Sequence, residues 1–113
     1  MDGLGIGLKI EDMRMLCEKG RIVWTTHITM RLQERGIFPT DVINCIKSGE
    51  IIEQYPNDHP YPSCLIIGLD TKSEYIHSVI GSNENEGELI FITAYYPTFD
   101  KWETDFKIRK AVK

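Results

Sequence analysis

The residues best suited to chemistry lie on one predicted helix. His27, Arg31 and Arg35 recur at intervals of four positions, and on an α-helix this spacing keeps the three side chains within about 80° of one another. Guanidinium groups are rigid forks of donors that match phosphate oxygens, and an imidazole with an ordinary pKa of about 6.5 can take or give a proton at neutral pH. The spacing therefore predicts a phosphate-binding site. In the structural alternative, Arg31 and Arg35 pair with Glu34 or Glu53.

A second set of candidate groups lies on predicted strands. His77 falls in the middle of a β-rich run, where a histidine is more often a buried structural residue than a catalytic one. Thr93 and Tyr95 share one face of the final run, and Glu53 and Tyr55 share one face of the first. If the last two strands pair, the face that carries His77 could also carry Thr93 and Tyr95, although the sequence does not fix the register.

Together these groups are of the right types for metal-free cleavage of an RNA phosphodiester bond. A base takes the proton of the 2′-hydroxyl group, arginine stabilises the crowded phosphorane, and an acid protonates the leaving 5′-oxygen. No metal or cofactor is expected. The three cysteines, Cys17, Cys45 and Cys64, are far apart and form no C-x-x-C pair, so they are predicted to be buried apolar residues.

The elements that must position these groups change character along the chain. Three segments before Gly49 have helical spacing, and each ends at a glycine: about 10–20, 27–36 and 39–49. Thr25-Thr26 is the predicted N-cap of the second. The four β-rich runs that follow are Glu50–Tyr55, Cys64–Leu69, Tyr75–Gly81 and Leu89–Tyr96.

The short gaps between these runs favour an antiparallel meander, since parallel crossovers need a dozen or more residues. The sequence thus predicts an α+β fold with N-terminal helices packed on a four-stranded antiparallel sheet. A short C-terminal helix is predicted from Trp102 to Arg109. The first and last runs would be the sheet edges, where a protein partner or a second copy of the chain could add a strand.

Composition limits the class of protein. With 113 residues, 42% hydrophobic and 27% charged, the chain is predicted to be a single globular domain over residues 1–113. Its net charge of −4 counts against nonspecific binding of duplex nucleic acid. A basic C-terminal segment nevertheless offers a hint of an anionic partner; its charged residues are Lys101, Glu103, Asp105, Lys107, Arg109, Lys110 and Lys113.

Location is predicted from what the sequence lacks. No apolar run approaches the ~20 residues of a membrane helix. The segment from Met1 to Leu8 has neither the basic region nor the apolar stretch of a signal peptide. We expect a cytoplasmic protein without a membrane partner.

Several short segments occur in a distinctive order: Trp24-Thr25-Thr26-His27, Glu34-Arg35-Gly36-Ile37, Gly49-Glu50-Ile51-Ile52-Glu53 and Ile92-Thr93-Ala94-Tyr95-Tyr96-Pro97, with Arg31, Gly68, His77 and Trp102. This series, which spans about residues 23–109, resembles the bacterial domain-of-unknown-function family numbered 4258. The resemblance implies kinship with the RelE/ParE superfamily of small toxins and a fold of helices on a small antiparallel sheet. It also implies a cognate antitoxin of the YgiT zinc-finger type, like MqsA.

The first functional hypothesis is based on the residues that resemble the family pattern. It states that the chain is a type II toxin that cleaves messenger RNA without a metal. Arg31 and Arg35 would bind phosphate, His27 and His77 would be acid and base, Tyr95 would orient them, and Glu53 is an alternative base. The superfamily also includes gyrase poisons and inactive relatives, so the fold does not fix the activity. The alternative is a non-catalytic protein-binding module in which the same residues form a structural polar cluster.

Overall fold

A computed structural model describes residues 7–111 of the chain. It has three helices and five strands. In chain order they are α1 (Ile10–Glu18), β1 (Ile22–Val23), α2 (Thr26–Glu34), α3 (Pro39–Ser48), β2 (Glu50–Tyr55), β3 (Ser63–Leu69), β4 (Tyr75–Asn83) and β5 (Glu88–Tyr95). The α+β class and all three predicted helices are confirmed. In the described part of the chain, no helix is long and apolar enough to cross a membrane.

Local chemistry explains where the helices begin. The Thr25 hydroxyl accepts the Ile28 N–H at 3.1 Å and so caps α2, as the sequence predicts. The α3 helix begins at Pro39, whose fixed φ suits a first helical position. One carboxylate oxygen of Asp41 accepts the Phe38 N–H at 2.9 Å, and the other accepts the backbone and hydroxyl of Thr71. Asp41 thereby fastens α3 to the turn between β3 and β4.

The sheet is five-stranded and mixed, with the order β1-β5-β4-β3-β2. Strands β2 to β5 form the predicted antiparallel meander, but β1 pairs in parallel with the start of β5. The prediction of a four-stranded, wholly antiparallel sheet was therefore wrong. A two-residue strand shows no alternation of apolar and polar side chains, so the sequence carries no signal for its pairing.

The position of β5 also differs from the prediction that it is a sheet edge. Ile22 and Val23 of β1 pair with Leu89 and Ile90, and α2 lies beside the remainder of β5. The outer side of β2 has no partner strand among residues 7–111. Of the two predicted edges, β2 is therefore the free one.

The main core lies between the helices and one face of the sheet. Its largest buried side chains are Met13, Leu32, Ile37, Val42, Ile46, Ile66, Ile76, Ile80, Leu89 and Phe91. Cys45 and Cys64 belong to the same cluster, and Cys17 is also buried and free, which confirms the prediction for the cysteines. Burial of this apolar surface supplies the main stabilisation of the fold.

The opposite face of the sheet is covered by the C-terminal segment, which is a hairpin and not the predicted helix. The Glu103 N–H donates to the Ile108 carbonyl at 2.8 Å, and the Lys110 N–H donates to the Lys101 carbonyl at 2.9 Å. Phe106 has φ 59°, a left-handed conformation that a right-handed helix excludes. We call residues 101–110 the C-terminal hairpin.

Candidate functional site

The predicted phosphate-binding residues line one pocket. His27 and Arg31 on α2, and Arg35 directly after the helix, border a pocket of about 170 Å³ beside β5. Its remaining wall is formed by Ile28, Leu32, Phe91, Ile92 and Thr93. We call it the cationic pocket. Three nitrogen-rich side chains over an apolar floor form a site suited to an anion.

Arg35 is held in place by β5. Its Nη1 donates to the Ala94 carbonyl at 2.8 Å and to the Thr93 hydroxyl at 3.3 Å. Because no carboxylate of residues 7–111 forms an ion pair with this guanidinium, its charge is not neutralised locally. Arg35 can therefore offer its outer donors to a ligand while β5 fixes its position.

His27 and Arg31 are exposed, and neither forms a hydrogen bond or an ion pair with any other side chain in the described region. In the structural alternative the arginines would pair with Glu34 or Glu53. Glu53 pairs with Arg109 instead, and within residues 7–111 Glu34 takes part in no ion pair. The predicted pairing of Arg31 and Arg35 with Glu34 or Glu53 was therefore wrong, and within residues 7–111 both guanidinium groups remain available to bind an anion.

The other candidate residues meet on the sheet face beneath the C-terminal hairpin. His77 is the direct cross-strand partner of Tyr95, and Val79 is that of Thr93. The register confirms that His77, Thr93 and Tyr95 share a face. Glu53 reaches the same region from β2, where it is paired with Leu65. We call Glu53, Tyr55, His77, Tyr95, Trp102 and Arg109 the sheet-face cluster.

His77 is fully buried and both ring nitrogens have partners. Nε2 lies 2.8 Å from the Phe106 carbonyl oxygen, and Nδ1 lies 3.3 Å from the Tyr95 hydroxyl. A carbonyl can only accept, so Nε2 carries the proton and Nδ1 accepts the proton of Tyr95. The ring also stands edge-on to Trp102, with centroids 4.5 Å apart. Burial lowers the pKa of His77, which outweighs the opposing effects of the Phe106 carbonyl and Glu53.

The charge of Glu53 is neutralised by Arg109, which was predicted to lie in a C-terminal helix. Arg109 binds Glu53 through two parallel hydrogen bonds of 2.8 and 3.1 Å, and the Tyr55 hydroxyl donates to the same carboxylate. Arg109 also lies over the Trp102 ring at 4.7 Å. The bonds from Arg109 hold the pKa of Glu53 below its usual range despite burial, while burial and the Glu53 carboxylate raise the pKa of Tyr55 to about 12.

The sequence missed the roles of Trp102, Phe106 and Arg109. The sequence shows that their surroundings are basic, but a predicted helix over residues 102–109 gives no reason to place them beside His77.

The cationic pocket and the sheet-face cluster do not meet. Within residues 7–111, no hydrogen bond or ion pair joins the cationic pocket to Glu53, His77 or Tyr95. Strand β5 links them, since Thr93 lines the pocket and Tyr95 belongs to the cluster.

Metal ligation is not favoured by the described side chains. No group of three or more His, Cys, Asp or Glu side chains is placed to hold an ion within residues 7–111. Burial raises the pKa of Cys45 and of Cys64 to about 12, so both thiols stay protonated at neutral pH. A metal binds the thiolate, and these cysteines are not suited to it.

Comparison with known proteins supplies the family. A family model described as "Domain of unknown function (DUF4258)" matches residues 24–96. The chain belongs to the DUF4258 family. The matched region runs from the residue before the α2 cap to the residue after β5, so it includes the cationic pocket together with His77 and Glu53. No curated protein and no solved structure matches the chain.

The DUF4258 match ends before the C-terminal hairpin. Trp102 and Arg109 therefore lie outside the matched region, although they complete the hydrogen bonds and packing of the sheet-face cluster. The cationic pocket, by contrast, is built wholly from matched residues.

Proposed function

We propose that this chain is a toxin-like endoribonuclease that cleaves messenger RNA without a metal, and that the cationic pocket is its reaction centre. The observation that carries the proposal is the pocket itself, where an exposed imidazole and two guanidiniums without carboxylate partners among residues 7–111 border one cavity. Kinship with the RelE/ParE superfamily is part of the same proposal.

The chemistry assigned to the pocket is transfer of the RNA phosphate to the neighbouring 2′-oxygen. Arg31 and Arg35 bind the scissile phosphate and stabilise the charge that grows on its oxygens. His27 takes the proton of the 2′-hydroxyl group, the 2′-oxygen attacks phosphorus, and the bond to the 5′-oxygen breaks. The 5′-oxygen takes a proton from solvent. The products are a 2′,3′-cyclic phosphate and a 5′-hydroxyl end.

In this proposal the sheet-face cluster positions β5 rather than transferring protons. His77 has no exposed ring nitrogen and Glu53 is bound on both oxygens by Arg109. Tyr95 is tied to His77, and the neighbouring Thr93 and Ala94 receive Arg35. The sheet-face cluster therefore holds β5 in position, and β5 in turn holds Arg35.

The test is induced expression followed by analysis of RNA ends. The parent chain should arrest growth and leave RNA with 2′,3′-cyclic phosphate ends. His27→Ala and Arg31→Ala should both abolish cleavage, with a loss of about 10²-fold or more for the histidine. Gln33→Ala is the matched control, because Gln33 is exposed on the same helix but does not line the pocket. If His27→Ala and Arg31→Ala are as toxic as the parent, the proposal is wrong.

A second candidate function is a binding module that holds an anionic partner without cleaving it. It is favoured by one observation: among the residues lining the pocket, His27 is the only one of a type that commonly serves as a general acid or base. This alternative predicts RNA binding that requires Arg31 and Arg35, with the RNA recovered intact.

We further propose that a cognate antitoxin, of the zinc-finger type, neutralises the chain in the cytoplasm. The free outer side of β2 supports this, since an unpaired edge offers main-chain hydrogen bonds to another strand. A homodimer through the same edge is the competing arrangement. Co-expression with the neighbouring reading frame should restore growth and yield a stable complex, whereas light scattering of the isolated chain should show a monomer.

A further inference from the structure

A second pocket lies farther along the chain at the end of β5 and has a different lining. It encloses about 360 Å³ between the end of β5 and the C-terminal hairpin, and its walls include Tyr95, Tyr96, Trp102, Lys101 and Arg109. We call it the aromatic pocket. Its volume falls in the range of about 300–1,000 Å³ of small-molecule sites, so a nucleobase fits within it.

The rings of the aromatic pocket are fixed before any ligand arrives. The Tyr96 hydroxyl donates to Asp70 Oδ2 at 2.7 Å, and Tyr96 as a whole residue is 38% exposed. Tyr95 is held by His77 at 3.3 Å, and Trp102 is packed between His77 and Arg109. A ring that is already anchored but still exposed loses little conformational entropy when a planar group stacks on it.

The two cations of this pocket differ in availability. Arg109 is neutralised by Glu53 and covers Trp102. Lys101 is exposed, and its side chain forms no hydrogen bond or ion pair with the other residues between positions 7 and 111. An unpaired ammonium among the residues lining an aromatic pocket matches a nucleotide, whose base stacks while its phosphate pairs with the charge.

The two pockets lie along one strand. Thr93 lines the cationic pocket and Tyr95 lines the aromatic pocket. These residues share a face of β5 and are separated by about 6.6 Å, given a rise of about 3.3 Å per residue. A single-stranded RNA whose phosphate occupies the first pocket therefore reaches the second with its adjacent nucleotide.

We propose that the aromatic pocket is a nucleotide subsite, in which an unpaired RNA base stacks on Tyr96 and the neighbouring phosphate pairs with Lys101. This inference rests on the proposed function of the cationic pocket. Stacking on a ring face accepts any base, so the subsite gives affinity for single strands without selecting a sequence. It also explains how a chain of net charge −4 binds RNA, because local cations and stacking replace a broad basic surface.

The test uses a short fluorescent single-stranded RNA and the full chain carrying His27→Ala, which prevents cleavage. Binding is followed by fluorescence anisotropy at low and moderate salt. Tyr96→Ala should weaken binding roughly 10-fold, whereas Tyr96→Phe, which keeps the ring, should bind within about 2-fold of the parent. Lys101→Gln should weaken binding and reduce its salt dependence by about one phosphate contact. Lys110→Gln is the matched control, since Lys110 is exposed in the same hairpin but does not line the pocket.

The outcomes separate this inference from the proposed function. If Arg31→Ala weakens binding while Tyr96→Ala and Lys101→Gln behave like Lys110→Gln, the subsite is wrong and the cationic pocket stands. If the chain binds no RNA at any salt concentration, both proposals fail. Circular dichroism tests whether each variant is folded, and Tyr96→Phe reports separately on loss of the Asp70 hydrogen bond.

Discussion

His77 Nε2 lies 2.8 Å from the carbonyl oxygen of Phe106, and this bond joins the middle of the sheet to the turn of the C-terminal hairpin. Phe106 has φ 59°, a conformation that costs a non-glycine residue about 1–3 kcal/mol unless its surroundings impose it. The stacking of Phe106 on Phe99 and the pairing of the hairpin arms supply further restraint. His77 is thus the anchor of the segment that covers the outer face of the sheet.

Replacing His77 with alanine should destabilise the protein strongly. The change leaves the Phe106 carbonyl and the Tyr95 hydroxyl without their partner, at about 1–3 kcal/mol for the lost buried hydrogen bonds, and the cavity adds to this. Each kcal/mol lowers the melting temperature by roughly 4–8 °C in a domain of this size. Differential scanning calorimetry measures the shift.

His27→Ala is the control for this prediction. His27 is exposed and lies within α2, so its removal should change the free energy of unfolding by no more than about 0.5 kcal/mol. A melting temperature of His77→Ala equal to that of the parent would show that His77 does not anchor the hairpin.

Stability should also fall in mild acid because of His77. Burial lowers its pKa in the folded state, whereas the unfolded value is about 6.5. The unfolded chain therefore binds the proton more readily, and folding stability, full above about pH 6.5, is lost as pH drops from that value toward the lower folded pKa. Urea unfolding at pH 7.5, 6.5 and 5.5 measures the loss.

His77→Gln provides the comparison, since glutamine does not titrate. Its free energy of unfolding should decline less than that of the parent between pH 7.5 and 5.5. Hydrogen bonds hold the pKa values of the Asp41 and Asp70 carboxyl groups below their usual range despite burial. The donors are Thr71 and Phe38 for Asp41, and Glu74, Tyr96 and Lys72 for Asp70. The contributions of both carboxyl groups are therefore retained above about pH 5. Parallel pH curves for the two proteins would rule out His77 as the titrating group.

The sequence predicted those parts of the fold that rest on local chemistry. Thr25 caps α2, and glycines with left-handed φ values follow α1 and α2, because these signals act within a few residues. The four meander strands follow from alternation and short gaps. Such signals are contained in the segment itself, and they needed no knowledge of tertiary contacts.

What the sequence did not predict depends on partners far along the chain. Arg109 binds Glu53 across 56 positions, and this ion pair helps to hold residues 102–109 as a hairpin. The pairing of β1 with β5 likewise joins Ile22 to Leu89. For the candidate site, helical spacing correctly placed His27, Arg31 and Arg35 together. Their separation from His77 and Glu53 depends on the positions of the strands in the sheet and on the face that each side chain occupies, which the sequence does not specify.

The cap of α2 should matter for both stability and the cationic pocket. Thr25→Ala removes the acceptor of the Ile28 N–H and should lower the free energy of unfolding by about 0.5–2 kcal/mol. Because His27 and Arg31 lie in the first two turns after the cap, RNA affinity should fall with it. Thr25→Ser keeps a hydroxyl and should behave like the parent in urea unfolding and in anisotropy. Equal behaviour of the alanine and serine variants would contradict a capping role.

The close approach of α3 to β3 should tolerate no side chain at Gly68. A Cβ built there would overlap the Cys45 carbonyl oxygen and lie 2.8 Å from the Cys45 Cα. These are backbone atoms, so relief requires α3 to move away from β3 and to loosen the core around it. Gly68→Ala should therefore lower the free energy of unfolding by at least about 1–3 kcal/mol.

Gly81→Ala is the matched control, because Gly81 is also a buried strand glycine. The nearest atom to a Cβ at Gly81 is the end of the Ile92 side chain, at 3.4 Å, and a flexible side chain can yield where a helix backbone cannot. The alanine variant should retain most of the stability of the parent in urea unfolding. If Gly68→Ala were as stable as Gly81→Ala, α3 would not be packed against β3 by direct backbone contact, and the position of the whole helical layer over the sheet would need another explanation.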